Sequence, residues 1–364
     1  MVKILVVGAR GIPDVEGGVE KNTERLFPLV SAAGWDVTLI GLKEHISSES
    51  FQGVKLLSAP SVRFLKTDKL VYYMSAVFTA IRLRPDIVHM QGLGAAIMLW
   101  AYKLIGAKTV VRYGLADYLV PKWGRIGRLG FIVSEYQLRF ADAVIAVTPA
   151  LRDRLADRKI ERNVHVISNA VDSLSLSIDS GSWLLPTKPY ILAVGRVTSQ
   201  KNLKLLIEGF KKFSRMNPGY RLAIAGGLDD ACYVDELRTI IDETIMLLGA
   251  LPRSSLPPVY ANAHLYVNSS THEGSSNAVF EAVSWGAPVL LSDIPENRDF
   301  GLCDRHYFSP HDPDSICGAL LRAVDDREAY VVDPKRFQTW EEVAEKTMKI
   351  YESFGLRSGG GVGW

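Results

Sequence analysis

The chain has 364 residues, 48% of them hydrophobic and 23% charged. That is ordinary globular composition and too much chain for a single core, so two domains are expected. The net charge of +2 hides an asymmetry: residues 1–170 hold 23 Lys and Arg against 15 Asp and Glu (+8), whereas residues 171–364 hold 19 against 25 (−6). Cys232, Cys303 and Cys317 are scattered without C-x-x-C spacing, which argues against a disulfide framework or a zinc site and suits a reducing compartment. Met1 leads straight into an apolar strand with no leader pattern, and the longest apolar helix candidate, Leu93–Tyr102, is too short to span a bilayer. A cytoplasmic protein is expected.

The first half alternates strand and helix. KILVVGARGIP (Lys3 to Pro13) is a buried strand and a glycine-punctuated turn, and a helix, a Gly stop and a second strand follow. Strands are predicted near Val54–Leu57, Asp86–Met90, Lys108–Arg112, Ala143–Val147 and Val164–Ser168, with helices at Leu70–Arg82, Gly94–Leu104 and Ile126–Phe140. Residues 173–189, rich in Ser, Asp, Gly and Pro, read as a linker between a first domain (1–172) and a second (190–339). In the second, strands are predicted at Tyr190–Gly195, Tyr220–Ala225, Thr244–Leu248, His264–Ser270 and Pro288–Ser292, with helices at Asn202–Arg215, Tyr233–Asp242, Arg253–Ala261 and Asn277–Gly286. An amphipathic helix near 340–356 is expected to join the first domain, and 357–364 to form a flexible tail. Near-continuous Val/Ile/Leu strands alternating with helices predict two doubly wound, Rossmann-like α/β domains, with a cleft between the carboxyl edges of their sheets.

Four strand-to-helix turns carry candidate chemistry. GIPDVEGGVE (Gly11 to Glu20) places Gly17 and Gly18 before a helix start, where backbone can approach a ligand closely. It is not the dinucleotide fingerprint, because the order after the strand is G-A-R-G and the second strand ends in Gly41 where a ribose-binding acid is wanted. GRVTSQKN (Gly195 to Asn202) sets Arg196 and Lys201 on one short loop opening a helix, a diphosphate clamp able to stabilise charge on a departing nucleoside diphosphate. HEGSSNAVFE (His272 to Glu281) puts two carboxylates, Glu273 and Glu281, on either side of Gly274, Ser275, Ser276 and Asn277 at a helix N-terminus. Backbone N–H groups there favour a phosphate, and the flanking acids can read hydroxyls; the same residues also fit an N-cap and a solvated helix position. Finally, Leu248–Pro252, with Leu251, offers apolar walls to a flat base.

Together these stretches resemble the retaining nucleotide-sugar glycosyltransferases of the GT-B fold, family 4 group. The GGVE turn, Arg196 and Lys201, VISNAVD, and EGSSNAVFE followed by AVSWGAPVLLSD carry the likeness over residues 3 to 355, and GIPDVEGGVEKN and FADAVIAVTPALRDRL are similar to bacterial surface-polysaccharide, rhamnosyltransferase-like members. The resemblance implies roles. Gly17 and Gly18 would lie against the diphosphate or transferred sugar, and Arg196 and Lys201 would neutralise the diphosphate. Glu273 would hold sugar hydroxyls and Glu281 the ribose, while Ser275, Ser276, Asn277 and Ala278 would offer N–H groups. The group usually carries a histidine in an H-G turn; here that turn is Val111-Arg112-Tyr113-Gly114-Leu115, so Tyr113 takes the place, with His89 as an alternative at the same sheet edge and Asp117 in the same loop, although a structural histidine and a loop cap account for these two as well.

The implied function is transfer of a sugar from a nucleoside diphosphate donor to a glycan or lipid-linked acceptor, with no metal and no cofactor beyond the donor. Asp312–Asp314 imitates a metal-binding D-x-D but sits where acids cap a helix. Basic and aromatic residues interleave at Ser61–Arg84 and Pro121–Val133, which predicts an anionic membrane surface as a partner at the inner face of the membrane; core-facing stripes with solvated charges fit the same pattern. Nothing in the sequence suits nucleic acid. A nucleotide-sugar epimerase and a non-catalytic nucleotide-sugar-binding module are the rival functions.

Overall fold

The computed structural model describes residues 1–60, 68–119, 124–172, 189–228 and 230–358. The predicted linker and tail fall almost wholly outside these. The chain forms two compact units, Met1–Asn169 with Trp340–Trp364, and Ala170–Thr339.

In the first unit the elements run β1 (Lys3–Val7), α1 (Gly18–Ala32), β2 (Asp36–Leu42), β3 (Ser50–Phe51), β4 (Val54–Ala59), α2 (Asp68–Leu83), β5 (Ile87–Gln91), α3 (Leu99–Leu104), β6 (Lys108–Tyr113), α4 (Arg125–Gln137), β7 (Ala143–Ala146), α5 (Pro149–Asp157) and β8 (Val164–Val166). The sheet order is β3-β4-β2-β1-β5-β6-β7-β8, parallel throughout except for the short edge pair β3–β4. Alternation along each strand divides the core between two faces. Val88 and Met90 pack with Tyr72, Ala76 and Tyr102 of α2 and α3, whereas His89 meets Phe27 of α1.

In the second unit the elements are β9 (Tyr190–Val194), α6 (Leu203–Met216), β10 (Arg221–Ala225), α7 (Ala231–Arg238), β11 (Ile245–Gly249), α8 (Leu256–Ala261), β12 (Leu265–Asn268), α9 (Asn277–Ser284), β13 (Val289–Ser292), α10 (Pro295–Arg298), β14 (Tyr307–Phe308) and α11 (Pro313–Asp325). Its parallel sheet has the order β11-β10-β9-β12-β13-β14. The order reverses between β9 and β12, and in such sheets that switch point is where ligands bind, beyond the carboxyl ends of the strands. A last helix, α12 (Trp340–Glu352), packs on α1 of the first unit, where Tyr351 Oη lies 2.6 Å from His89 Nδ1.

Several elements differ from expectation. The helix predicted at Gly94–Leu104 divides into a 3-10 turn, Ala95–Met98, and α3, and that at Arg253–Ala261 into a 3-10 turn, Arg253–Ser255, and α8. Pro257 and Pro258 can occupy α8 because the first helical turn needs no N–H donors. Helix α5 was not predicted, although Thr148 accepts from the Leu151 N–H at 3.2 Å and Pro149 follows it, an N-cap and first-turn proline in sequence. The D-x-D segment is a cap: Asp312 accepts from the Asp314 N–H at 2.9 Å, and Asp314 pairs with Lys212.

Candidate functional site

The site grows from the two turns at the switch point of the second unit. β9 ends in Val194, and Gly195 follows at φ +147, a conformation open to glycine and strained for other residues. A Cβ on Gly195 would stand 3.0 Å from Lys201 Cε, and one on Gly226, after β10, would stand 2.0 Å from the Gly195 carbonyl oxygen. These bare backbones let two strand ends close together and let the Lys201 stem cross over the first. Lys201 ends a 3-10 turn, Ser199–Lys201, and Asn202 in the left-handed conformation (φ 53) starts α6. Asn and Gly are the residues that tolerate such a corner.

From the neighbouring strand, β12 delivers the partner. Glu273 is 7% exposed, and its Oε1 accepts from Lys201 Nζ at 2.5 Å, Ser270 Oγ at 2.7 Å and Asn268 Nδ2 at 3.2 Å. Burial pushes the carboxyl towards its neutral form, but the Lys201 charge, with the bonds from Lys201, Ser270 and Asn268, outweighs it and holds Glu273 below its ordinary range. Glu273 is therefore a carboxylate fixed in direction, able to accept a hydroxyl with its remaining oxygen sites. Gly195, Lys201, Tyr266, Asn268, Ser269 and Ser270 line a pocket between the ends of β9 and β12.

Arg196 lies on the same turn as Lys201. It is exposed and has no hydrogen-bond or ion-pair partner among the described residues. Ser276 is the N-cap of α9, yet its side chain makes no cap bond; its Oγ accepts from Asn268 Nδ2 at 3.2 Å instead. The cap hydroxyl is thus engaged elsewhere, and the N-terminus of α9, with Asn277 and Ala278, follows directly on Ser275 and Ser276. One turn further, Glu281 accepts from the buried Tyr260 hydroxyl at 2.7 Å. Burial and then the Glu281 charge raise the Tyr260 phenol far above its usual range, so it stays a donor. Leu251 packs partly buried against the core that holds Tyr260.

The first unit places its candidates differently. Gly17 is the N-cap of α1 at φ 139, and a Cβ there would stand 2.1 Å from Glu20 Oε2. The buried Glu20 carboxylate folds over the turn and pairs with Arg10 at 2.9 Å, so a carboxylate stands beside the α1 N-terminus. Gly18 is exposed. Tyr113 corrects the expectation made for it: its side chain is fully buried, and its hydroxyl donates to Glu135 of α4 at 2.5 Å. Tyr113 follows the register of Val111, which faces the α2–α4 core, so the tyrosine has the strand position of the group's histidine without reaching a surface. Glu135 also pairs with Arg158 at 2.9 Å. His89 is fully buried too, and burial followed by the Arg112 charge lowers it to about 3, which keeps it neutral. Sequence reading overlooked Asn268, Ser270 and Tyr260, the donors that aim the two glutamates. Asn268 and Ser270 sit in the same β12 turn as Glu273, where their polar run was the available signal; Tyr260 had none.

Tandem Rossmann-like domains of this kind have the fold of the GT-B glycosyltransferases. The family model described as Glycosyltransferase Family 4 matches residues 16–173 and that described as Glycosyl transferases group 1 matches residues 188–326, and the chain belongs to this family. Among its relatives, a phosphatidylinositol N-acetylglucosaminyltransferase of Arabidopsis thaliana is 23% identical over 96% of this chain and 82% of its own length. The lipopolysaccharide core biosynthesis glycosyltransferase LpsE of Rhizobium meliloti is 24% identical over 76% of this chain and 75% of its own. The Anabaena HepE structure, solved with UDP and glucose, shares the fold at a TM-score of 0.75 and 14% identity, covering 97% of this chain and 100% of that one.

Proposed function

We propose that this glycosyltransferase moves a sugar from a nucleoside diphosphate donor to a glycan carried on lipid, with retention at the anomeric carbon, in the assembly of a bacterial surface polysaccharide on the cytoplasmic side. The observation that carries the donor reading is the Lys201–Glu273 contact of 2.5 Å at the β9/β12 switch point, beside Arg196, which has no partner among the described residues. Arg196 and Lys201 neutralise the diphosphate as it leaves, and both act from one turn. Glu273, held ionised, orients sugar hydroxyls, and Glu281, steadied by Tyr260, accepts from the ribose. With two cations and a helix start on the diphosphate, the reaction needs no divalent ion. The lipid-linked acceptor draws support from the phosphatidylinositol and lipopolysaccharide named for the two relatives.

A thermal-shift panel of nucleoside diphosphates and their sugars tests the donor, because a ligand that binds only the folded state raises its melting temperature by mass action. One diphosphate should stand out, and Glu281→Ala should abolish its shift. Incubation of that donor with bacterial lipid-linked glycans should then yield an extended glycolipid and free nucleoside diphosphate. An epimerised nucleotide sugar formed without acceptor would replace this reading with an epimerase; binding with neither transfer nor hydrolysis would replace it with a binding module.

A further inference from the structure

Helix α4 is inside out. Its buried residues are Ser134 and Glu135, while Ile126, Leu129, Ile132, Val133 and Tyr136 are exposed, Ile126 at 89%. A helix lying on a sheet ordinarily turns its apolar stripe inward and its charges outward. The neighbouring helices continue the anomaly. α2 buries Tyr72, Ala76 and Ala80 yet exposes Met74, Phe78 and Ile81 at helical spacing, and α3 exposes Trp100 and Leu104. The three helices form one layer: α2 and α4 both close over Gly94 through Tyr73 and Phe131, and Gln137 of α4 bonds the Trp100 N–H and the Ile97 carbonyl. In the second unit, by contrast, the large apolar side chains that are exposed, among the described residues, are Met216 and Val331.

The charges on this layer identify what covers it. Arg82, Arg84, Arg125 and Arg128 are exposed and have no ion-pair partner among the described residues. Arg139 stacks its guanidinium 3.7 Å from the centroid of the exposed Tyr136 ring. The one acidic residue of α4, Glu135, is buried. A second copy of the chain docked face to face would set these arginines against one another, which is unfavourable in a self-complementary contact. An anionic bilayer answers both features, taking the apolar side chains into the acyl boundary and the arginines among its phosphates. No described helix is long and apolar enough to cross a membrane.

We propose that the outward face of α2, α3 and α4 is an interfacial membrane-docking surface selective for anionic lipid. The proposal rests on the first unit alone and is independent of the donor reading: lipid binding and the nucleotide thermal shift are separate measurements, so either can fail without the other.

The test is sedimentation of the full chain with phosphatidylcholine vesicles, with and without phosphatidylglycerol, at low and high salt. The expected result is co-sedimentation with phosphatidylglycerol vesicles at low salt, weakened by salt and absent with phosphatidylcholine alone. Arg125→Glu with Arg128→Glu, and separately Ile126→Ser with Leu129→Ser, should each lower partitioning at least about tenfold, with circular-dichroism melts like the parent's. Wild-type protein left in the supernatant at low salt would overturn the proposal, as would variants that bind like the parent. Light scattering that shows a dimer dissociated by Ile126→Ser with Leu129→Ser would overturn it in favour of a second copy.

Discussion

Lys201 Nζ and Glu273 Oε1 stand 2.5 Å apart, joining a turn after β9 to a turn after β12 across 72 positions of sequence. The contact ties the two strands of the switch point together and points both side chains at one place. Because Glu273 is almost entirely buried, removal of its cation leaves a charge that solvent does not reach. Lys201→Ala should cost about 3 kcal/mol of stability and also abolish the nucleotide-induced thermal shift. Adding Glu273→Gln to it should restore much of the stability without restoring the shift. Urea melts of the four species of this cycle check it; recovery of binding in the double variant would reduce the lysine to a structural ion-pair partner.

Acid should act on the same pair. The Glu273 pKa is lowered in the folded state from an ordinary 4.5, so its contribution is fully present above that value and is lost as pH falls through the folded pKa. The stability advantage of the wild type over Glu273→Gln should hold constant from neutrality to about pH 5 and shrink below it. An advantage that instead grew on acidification would mean that the carboxyl is raised.

The glycine pair beneath this contact gives a separate prediction. A methyl on Gly226 would strike the Gly195 carbonyl at 2.0 Å, where backbone has nowhere to move, and both residues hold φ near +150. Gly226→Ala should therefore cost about 3 kcal/mol or more. At Gly195 the methyl meets the flexible end of Lys201 at 3.0 Å. Gly195→Ala should lose about 1–3 kcal/mol to backbone strain and, by displacing Lys201, weaken nucleotide binding more than its stability loss explains. Chemical denaturation alongside nucleotide titration separates the two effects.

How far the sequence could be read depended on whether a feature was local. Parallel strands buried on both faces announce themselves as apolar runs, so Tyr190–Val194 and Leu265–Asn268 were legible, and the turns after them carried Lys201 and Glu273 in plain view. The contact between those two residues was not legible, since strand order, rather than sequence distance, brings them together. Tyr113 shows the reverse error. Its place in the V-R-Y-G-L turn suggested a surface role, but period-two alternation from Val111 already sends it to the α2–α4 side of the sheet. The partner that confirms this, Glu135, lies 22 positions away on α4, whose apolar residues fitted a membrane-facing surface and core-facing stripes alike until the structure turned Ile126, Leu129, Ile132 and Val133 outward.

His89 should make the first unit sensitive to mild acid. It is lowered to about 3, mostly by burial and then by the Arg112 charge, while its unfolded value is near 6.5. The unfolded chain then binds a proton that the folded chain refuses between those values, and stability falls as pH drops below about 6.5, by up to about 1.4 kcal/mol per pH unit. His165, His264 and His306 are lowered as well, so the informative quantity is the difference between wild type and His89→Leu. That difference should narrow by about 1 kcal/mol between pH 7 and pH 5.5; a constant difference would place the proton elsewhere.

For Tyr113, the structure and the family pattern assign opposite consequences to the loss of its hydroxyl. That hydroxyl donates at 2.5 Å to Glu135, which also receives Tyr118 at 3.1 Å and pairs with Arg158 at 2.9 Å. Burial, then the Glu135 charge, pushes the phenol well above its usual range, so it remains a neutral donor throughout the working pH range. Tyr113→Phe removes one bond to a buried carboxylate and should cost about 2 kcal/mol, leaving the nucleotide thermal shift and the rate of transfer within about twofold of the parent at a temperature where both are folded. A residue that touched the donor sugar would instead lose activity at unchanged stability. Transfer kinetics and urea melts on the same preparation decide between the two, and a large kinetic defect with a normal melt would restore Tyr113 to the reacting centre.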